Sequence, residues 1–324
     1  MTTAFVLQGG ASLAAPQVGM LRALLAAGLR PDLVVGSSAG ALNGVAFAQD
    51  PTERGVTRLW DTWTRVRRRT VFPIRPVGIV AGLLGQRAGL VPAGPLRSWI
   101  AADVSLDDLA DAPVPVCVVA TDANTAETVP LVSGSPVEAL LASSAVPGVF
   151  PAVTIGGRPL VDGGISADVP MRVAEELGAT TCYVLPRAAI PRAQPGPVGV
   201  VDAVVRAAHH MLNRVSHADV AGATVHVRVL PAPTSAGASP FDFRDSERLM
   251  QAGHDLTAQW LARTARGRPL SRSPPDQVSG GAPPVTALGP LRIPVEPHRT
   301  NLRTARHQPC DAARMASCTR RELA

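Results

Sequence analysis

The sequence predicts an α/β protein, a sheet covered by helices, followed by a tail that does not join it. Three observations carry that reading. Short apolar, strand-like runs alternate along the chain with segments of helical periodicity. The first two strand-to-helix junctions are rich in glycine. From about residue 268 periodicity gives way to a Pro, Arg, Ser and Gly-rich composition. We therefore expect a folded domain over residues 1–267 and a disordered Pro/Arg-rich tail over 268–324; 324 residues at 46% hydrophobic content suffice for one sizeable core.

The first strand is the apolar run Ala4–Leu7, and a helix follows at about 16–27. Pro16 suits a first helical turn, and Val18, Leu21, Leu24 and Leu25 recur at helical spacing. A second apolar run, Leu33–Val35, leads into a helix at 39–48. Helices at about 53–67 and 95–102 precede the strand Val114–Ala120, which contains Val116-Cys117-Val118-Val119. Then come a strand at Thr128–Leu131, a helix at 136–144, a strand at Pro159–Val161 and a helix at 169–177. The strand Thr181–Leu185, a helix at 198–221, the strand Val225–Val229 and a helix at 244–264 complete the domain. Residues 186–199 and 231–240 read as Pro/Gly-rich loops, and no internal repeat is evident.

The chemistry starts at Gly36-Ser37-Ser38-Ala39-Gly40, between a strand and a helix. G-x-S-x-G in that context is a nucleophile elbow, a tight turn that projects a serine hydroxyl at a helix N-terminus. The rival reading is a glycine-rich turn with a helix-capping serine. Upstream, Gln8-Gly9-Gly10-Ala11-Ser12 joins a strand to a helix. Such a loop presents backbone N–H donors to a phosphate or to the oxyanion of a tetrahedral intermediate, or is simply a turn. It is not a dinucleotide fingerprint, because G-x-G-x-x-G is absent. Downstream, Val161-Asp162-Gly163-Gly164 places an aspartate at a strand end, where a turn is the plainer reading. A serine nucleophile needs a base, and all seven histidines lie at or after His209. Either Asp162 is the base directly or a distant histidine folds back.

With these residues in hand, the chain over about Thr3 to Ala265 resembles the patatin-like phospholipase family. Leu7 to Ala14 is similar to the family's glycine-rich oxyanion loop, Gly36 to Gly40 to its G-x-S-x-G, and Asp162-Gly163-Gly164 to its D-G-[GA]. Ser143 to Pro151 is similar to the small-residue segment that precedes the family's aspartate. The resemblance implies a three-layer α/β/α fold with a mostly parallel central sheet. It implies Ser38 as nucleophile and Asp162 as base, in hydrolysis of lipid or phospholipid esters of the phospholipase A or lysophospholipase type without a cofactor. The oxyanion donors are expected from Gly9, Gly10, Ala11 and Ala39. The loop departs from the family at Ala11 and Ala14, where glycines are expected, and at Leu13, where many members carry a basic residue. An alanine at positive φ costs about 1 kcal/mol or more, so the hole keeps its donors on condition that Ala11 stays at negative φ. Two other readings stay open: an α/β-hydrolase triad completed by His226 or His254, and a non-catalytic lipid- or partner-binding module, motivated by Ala11 and Ala14.

Composition bounds the partners. All 31 basic side chains are arginine, and most of the net charge of +6 lies in the tail, so nucleic-acid binding is not expected of the domain. The four cysteines have no zinc-site spacing and no disulfide framework; Cys117 and Cys182 fall in strands as buried thiols. A strand so near the first residue leaves no room for a signal peptide, and no apolar run reaches a membrane span, so a cytoplasmic protein is expected, one that visits membranes peripherally. Residues 60–91 are the candidate lipid-facing surface. They hold Trp60, Trp63, Arg65, Arg67, Arg68 and Arg69, then the apolar runs Ile79–Leu84 and Leu90-Val91. A solvated helix end followed by core packing is the alternative. Asp122 reads as a turn-forming residue, with support of the site as the alternative; Asp168 reads as a cap of the next helix and not as catalytic; His209-His210 read as surface or packing residues. The sequence does not indicate an oligomeric state.

Overall fold

The computed structural model of the chain describes residues 1–73, 89–190, 200–235 and 239–265. The expected tail and the apolar run Ile79–Leu84 lie outside the described residues. The strands are β1 (Thr3–Leu7), β2 (Leu33–Ser37), β3 (Val116–Asp122), β4 (Thr128–Leu131), β5 (Val153–Ile155), β6 (Arg158–Asp162), β7 (Thr181–Leu185) and β8 (His226–Val229). The helices are α1 (Pro16–Ala26), α2 (Ala39–Gln49), α3 (Glu53–Arg65), α4 (Arg68–Val71), α5 (Gly94–Asp103), α6 (Pro136–Ser143), α7 (Met171–Glu176), α8 (Val200–Ala221) and α9 (Ser246–Ala265).

β1 lies between β2 and β7, with β3 beyond β2 and β8 beyond β7, all in parallel. Strands buried on both faces read as continuous apolar runs, which is why they stood out in the sequence. Phe5, Leu7, Val34, Val118 and Leu185 enter one core with α1, α2, α3 and α9. Their neighbours Ala4, Val6, Val35, Val119 and Val184 enter a second core with Val169, Met171, Val173 and Ala174. The result is the expected α/β/α layering around a mostly parallel sheet.

Some boundaries differ from expectation. The helix expected over 53–67 ends at Arg65, and Val66, extended at φ −62° and ψ 141°, separates it from α4. β2 runs on to Ser37 and β3 to Asp122, so both strands reach further toward the motifs than their most apolar residues. β5 was not anticipated; it forms a hairpin with β6 around Gly156 and Gly157, both at positive φ.

Candidate active site

β3 organises the site. Val118 and Val119 pair with β2 and also with β4, which must therefore occupy opposite edges. Ala120 and Thr121 pair with β4 and β6, so β6 shares the edge used by β2. β6 is antiparallel to β3 and β2 is parallel to it, so the C-terminal ends of β2 and β6 meet head-on along one edge. Ser37 stands opposite Val119 and Asp162 opposite the next residue, Ala120. Ser38, the residue after Ser37, is thereby brought to Asp162, 124 positions away.

At the end of β2 the chain turns sharply into α2. Ser38 occupies φ 53° and ψ −126°, a conformation that L residues rarely adopt. Gly36 and Gly40 make the turn possible. A Cβ on Gly36 would lie 2.7 Å from the Ala41 backbone, and one on Gly40 would lie 2.4 Å from the Leu7 carbonyl oxygen. The Ser38 N–H donates to Ser143 Oγ at 2.8 Å, and Ser143 Oγ–H donates to the Val119 carbonyl at 2.6 Å. The neighbouring Ser37 hydroxyl is buried and has no hydrogen-bond partner among the described residues, so the two serines are not equivalent.

Ser38 Oγ–H donates to Asp162 Oδ2 at 2.6 Å. The other carboxylate oxygen accepts the Gly164 N–H at 2.8 Å. Gly163 has no room for a side chain, since a Cβ there would lie 2.0 Å from the Val119 carbonyl oxygen. Burial pushes the Asp162 carboxyl up to about 7; the hydrogen bonds from Ser38 and Gly164 oppose the shift, and the Asp168 charge adds to it. Among the described residues no histidine ring hydrogen-bonds to Ser38 or Asp162. His226 begins the outer strand β8, and His254 lies on α9 beside Asp255. The triad reading through either imidazole is therefore set aside.

The glycine-rich loop lies beside the serine: a Cβ on Gly9 would be 3.4 Å from Ser38 Cβ. Among the described residues the N–H groups of Gly10, Ala11 and Ala39 have no hydrogen-bond partner. Gly9 is a correction, because its N–H donates to the Asp168 carbonyl at 3.1 Å and is engaged in the fold. Ala11 sits at φ 48°, so the condition of negative φ set from the sequence is not met, yet its N–H is still left without a partner among the described residues where the loop reverses into the 3-10 turn Ala11–Ala14. Ala14 is buried within that turn.

Two buried polar networks hold this loop, and sequence reading missed both. In one, Trp63 Nε1–H donates to Asn43 Oδ1, Asn43 Nδ2 to Gln17 Oε1, and Gln17 Nε2 to the carbonyls of Gln8 and Leu185. In the other, Asp168 Oδ2 accepts from Arg187 at 2.6 Å, Gln8 at 2.9 Å and Ser216 at 2.5 Å. Asp168 is thus no helix cap. Asp122 is a turn residue as expected: Oδ1 accepts the N–H groups of Asn124 and Thr125, and Oδ2 pairs with Arg158. Cys117 and Cys182 are buried free thiols.

Of the proposed lipid-facing residues, Trp63 is buried and faces the core, and Val91 is buried as well. Arg67, Arg68 and Arg69 line a cleft of about 930 Å³ with Arg244, Phe72 and Phe243. Phe72 stacks on Phe150 at 5.7 Å, and Ser12 in the glycine-rich loop donates to the carbonyls of Ser239 and Pro240, a few residues before the cleft residue Phe243. Among the described residues no helix is long and apolar enough to cross a membrane.

A mostly parallel α/β sheet with a strained serine at a strand-to-helix turn, and a carboxylate in hydrogen-bonding contact with it, defines the class of elbow-bearing α/β folds. The family model for patatin-like phospholipase matches residues 5–175, and the chain belongs to that family of lipid acyl hydrolases. Among solved structures the chain is similar to VipD from Legionella pneumophila, at 18% identity and a TM-score of 0.43, covering 81% of this chain and 66% of that one. It is also similar to ExoU of Pseudomonas aeruginosa, solved with SpcU, at 14% identity and a TM-score of 0.38, covering 81% and 52%. The chain thus spans between about half and two thirds of the length of these two proteins.

Proposed function

We propose that the protein hydrolyses carboxylic esters of lipids, as a phospholipase A or lysophospholipase, through a Ser38–Asp162 dyad and an acyl-enzyme. Ser38 Oγ attacks the ester carbonyl while Asp162 takes its proton. The proton passes to the leaving alcohol as the tetrahedral intermediate collapses, and water repeats the sequence on the acyl-enzyme. The N–H groups of Gly10, Ala11 and Ala39 stabilise the oxyanion, each worth about 10²–10³ in rate. A free aspartate, pKa about 3.9, is a weak base for a hydroxyl; a carboxyl raised to about 7 is suited to neutral pH. The single observation that carries this reading is the 2.6 Å hydrogen bond from Ser38 to Asp162.

In this reading the protein is cytoplasmic and meets membranes at their surface through the exposed arginines Arg65, Arg67, Arg68 and Arg69 of the 60–91 region, with the arginine-lined cleft toward anionic head groups. A fluorophosphonate probe and a panel of lipid esters test the proposal. Labelling and turnover are expected in the wild type and in His226→Ala and His254→Ala, and are lost in Ser38→Ala; turnover is lost in Asp162→Ala. No labelling of the wild type favours a lipid-binding module, the reading that the positive φ of Ala11 supports.

A further inference from the structure

Asp168 is a second carboxylate beside the proposed dyad, and it is built in with unusual thoroughness. It is 2% exposed, and its partner Arg187 is 5% exposed. Three donors converge on one of its oxygens: Arg187, Gln8 and Ser216. Its main-chain carbonyl accepts the Gly9 N–H. Arg187 completes the clamp. It donates to the Gly9 carbonyl at 3.2 Å and to Asn213 at 2.6 Å, and its own N–H donates to Gln8 Oε1. Its aliphatic stem covers Gly10 so closely that a Cβ there would lie 2.7 Å from Arg187 Cδ.

The other Asp168 oxygen takes part in none of these bonds and faces the dyad. A Cβ on Gly9 would lie 2.9 Å from it, and the same point is 3.4 Å from Ser38 Cβ. A Cβ on Gly164 would touch both carboxylates, at 3.0 Å from Asp162 Oδ1 and 3.3 Å from Asp168 Oδ1. Two side chainless positions therefore leave the pair of carboxylates facing each other across a narrow gap.

We propose that Asp168, locked by Arg187, is a positioning residue for the dyad: it fixes the strained Gly9–Ala11 backbone against Ser38 and sets a second carboxylate beside that of Asp162. The inference rests on the hydrolase reading. The fixing acts through geometry. Gly9 is held through its N–H by Asp168 and through its carbonyl by Arg187, so the peptides that carry the Gly10 and Ala11 N–H groups need not reorganise when an oxyanion forms beside Ser38. The charge acts through Coulomb repulsion, which disfavours ionisation of Asp162 and so makes it a stronger base. Other charged groups close to Asp168 are Arg187, which pairs with it, and Asp219, whose carboxylate accepts the Val169 N–H.

The test is a pH profile of kcat and KM on a neutral, soluble short-chain ester, for the wild type, Ser38→Ala, Asp168→Asn, Arg187→Lys and the double variant Asp168→Asn/Arg187→Met. Folding of each is checked by thermal melting. The double variant removes both charges and strands neither, so it remains informative if Asp168→Asn alone does not fold. For folded protein lacking the Asp168 charge, kcat is expected to fall at least tenfold with KM within about threefold. The rising limb of kcat/KM is expected to move to lower pH in Asp168→Asn, and by less in the double variant, which also removes the opposing Arg187 charge. Arg187→Lys, which keeps the charge, is expected to leave the limb in place. Loss of activity only in proportion to the unfolded fraction, or a folded variant with wild-type kcat and pH limb, overturns the proposal. Absence of Ser38-dependent turnover in the wild type instead overturns the hydrolase reading, and this inference with it.

Discussion

Replacing Asp162 by Asn separates what the carboxylate does for chemistry from what it costs the fold. The folded-state value of about 7 lies some three pH units above the ordinary 3.8. Desolvation is the largest cause, and the side chain is buried. A group whose folded pKa is raised contributes its full stability below the unfolded value and loses it as pH rises through the folded one. The wild type therefore loses stability between pH 4 and pH 7, as the folded state is forced to ionise a buried group. From pH 5 to pH 8 about two units of that interval are crossed, or about 3 kcal/mol at 1.36 kcal/mol per unit. Asn is nearly isosteric, can still accept the Gly164 N–H, and does not titrate. The difference in Tm between Asp162→Asn and the wild type, measured by calorimetry, is expected to grow by about 6–12 °C from pH 5 to pH 8 in the variant's favour, at about 2–4 °C per kcal/mol for a domain of this size. Other titrating groups are common to both proteins and cancel in the difference. A difference that stays constant with pH would show that Asp162 is not a desolvated carboxyl, and the argument for its basicity would fall with it.

Three other outcomes follow from the same geometry. Ser143→Ala strands the Ser38 N–H and the Val119 carbonyl, so chemical denaturation should show a loss of about 2 kcal/mol, and kcat should fall about tenfold with KM little changed. Ser38→Gly should be more stable than Ser38→Ala by about 1 kcal/mol or more in the same assay, since both lack the hydroxyl and only glycine relaxes at φ 53°. Arg67→Ala/Arg68→Ala/Arg69→Ala should bind anionic vesicles at least tenfold more weakly in a flotation assay, with binding to zwitterionic vesicles unchanged, at about 1 kcal/mol per arginine.

What the sequence made visible depended on how local each signal is. β1, β2, β3 and β7 were readable because both faces are buried and their apolar runs are unbroken. The serine and aspartate motifs were readable because each needs glycines within one or two residues. β5 was not, since three residues give no periodicity, although the Gly156-Gly157 pair that closes its hairpin was a usable turn signal. The reversed direction of β6, which alone brings Asp162 to Ser38, is a matter of strand order and has no local signature. Asp168 read as a cap residue because a lone aspartate before a helix usually is one. Its partner, Arg187, is 19 residues further on, beyond β7, and the burial of both is a property of the assembled sheet. At Ala11 the sequence posed the question of the backbone's sign but could not answer it. The positive φ penalty is real, but the loop reverses into a buried turn whose packing sets the backbone instead.

Several unfavourable features of this molecule meet at one place. Ser38 and Ala11 sit at positive φ, Asp162 is a desolvated carboxyl, and the Gly10, Ala11 and Ala39 N–H groups lack partners among the described residues. Each would be eliminated by a chain optimised for stability alone, and together they cost several kcal/mol. They persist because the surroundings over-determine them. The Trp63–Asn43–Gln17 chain, the Ser143 bridge and the Asp168–Arg187 clamp fix the three motif loops from behind with buried hydrogen bonds. On the proposed reading, unpaired donors and a base held rigid at a helix N-terminus are what electrostatic preorganisation requires. A fold that sought only a tight turn at residues 36–40 would need neither the buried aspartate nor the clamped loop, which is why the capping-serine reading does not account for this site.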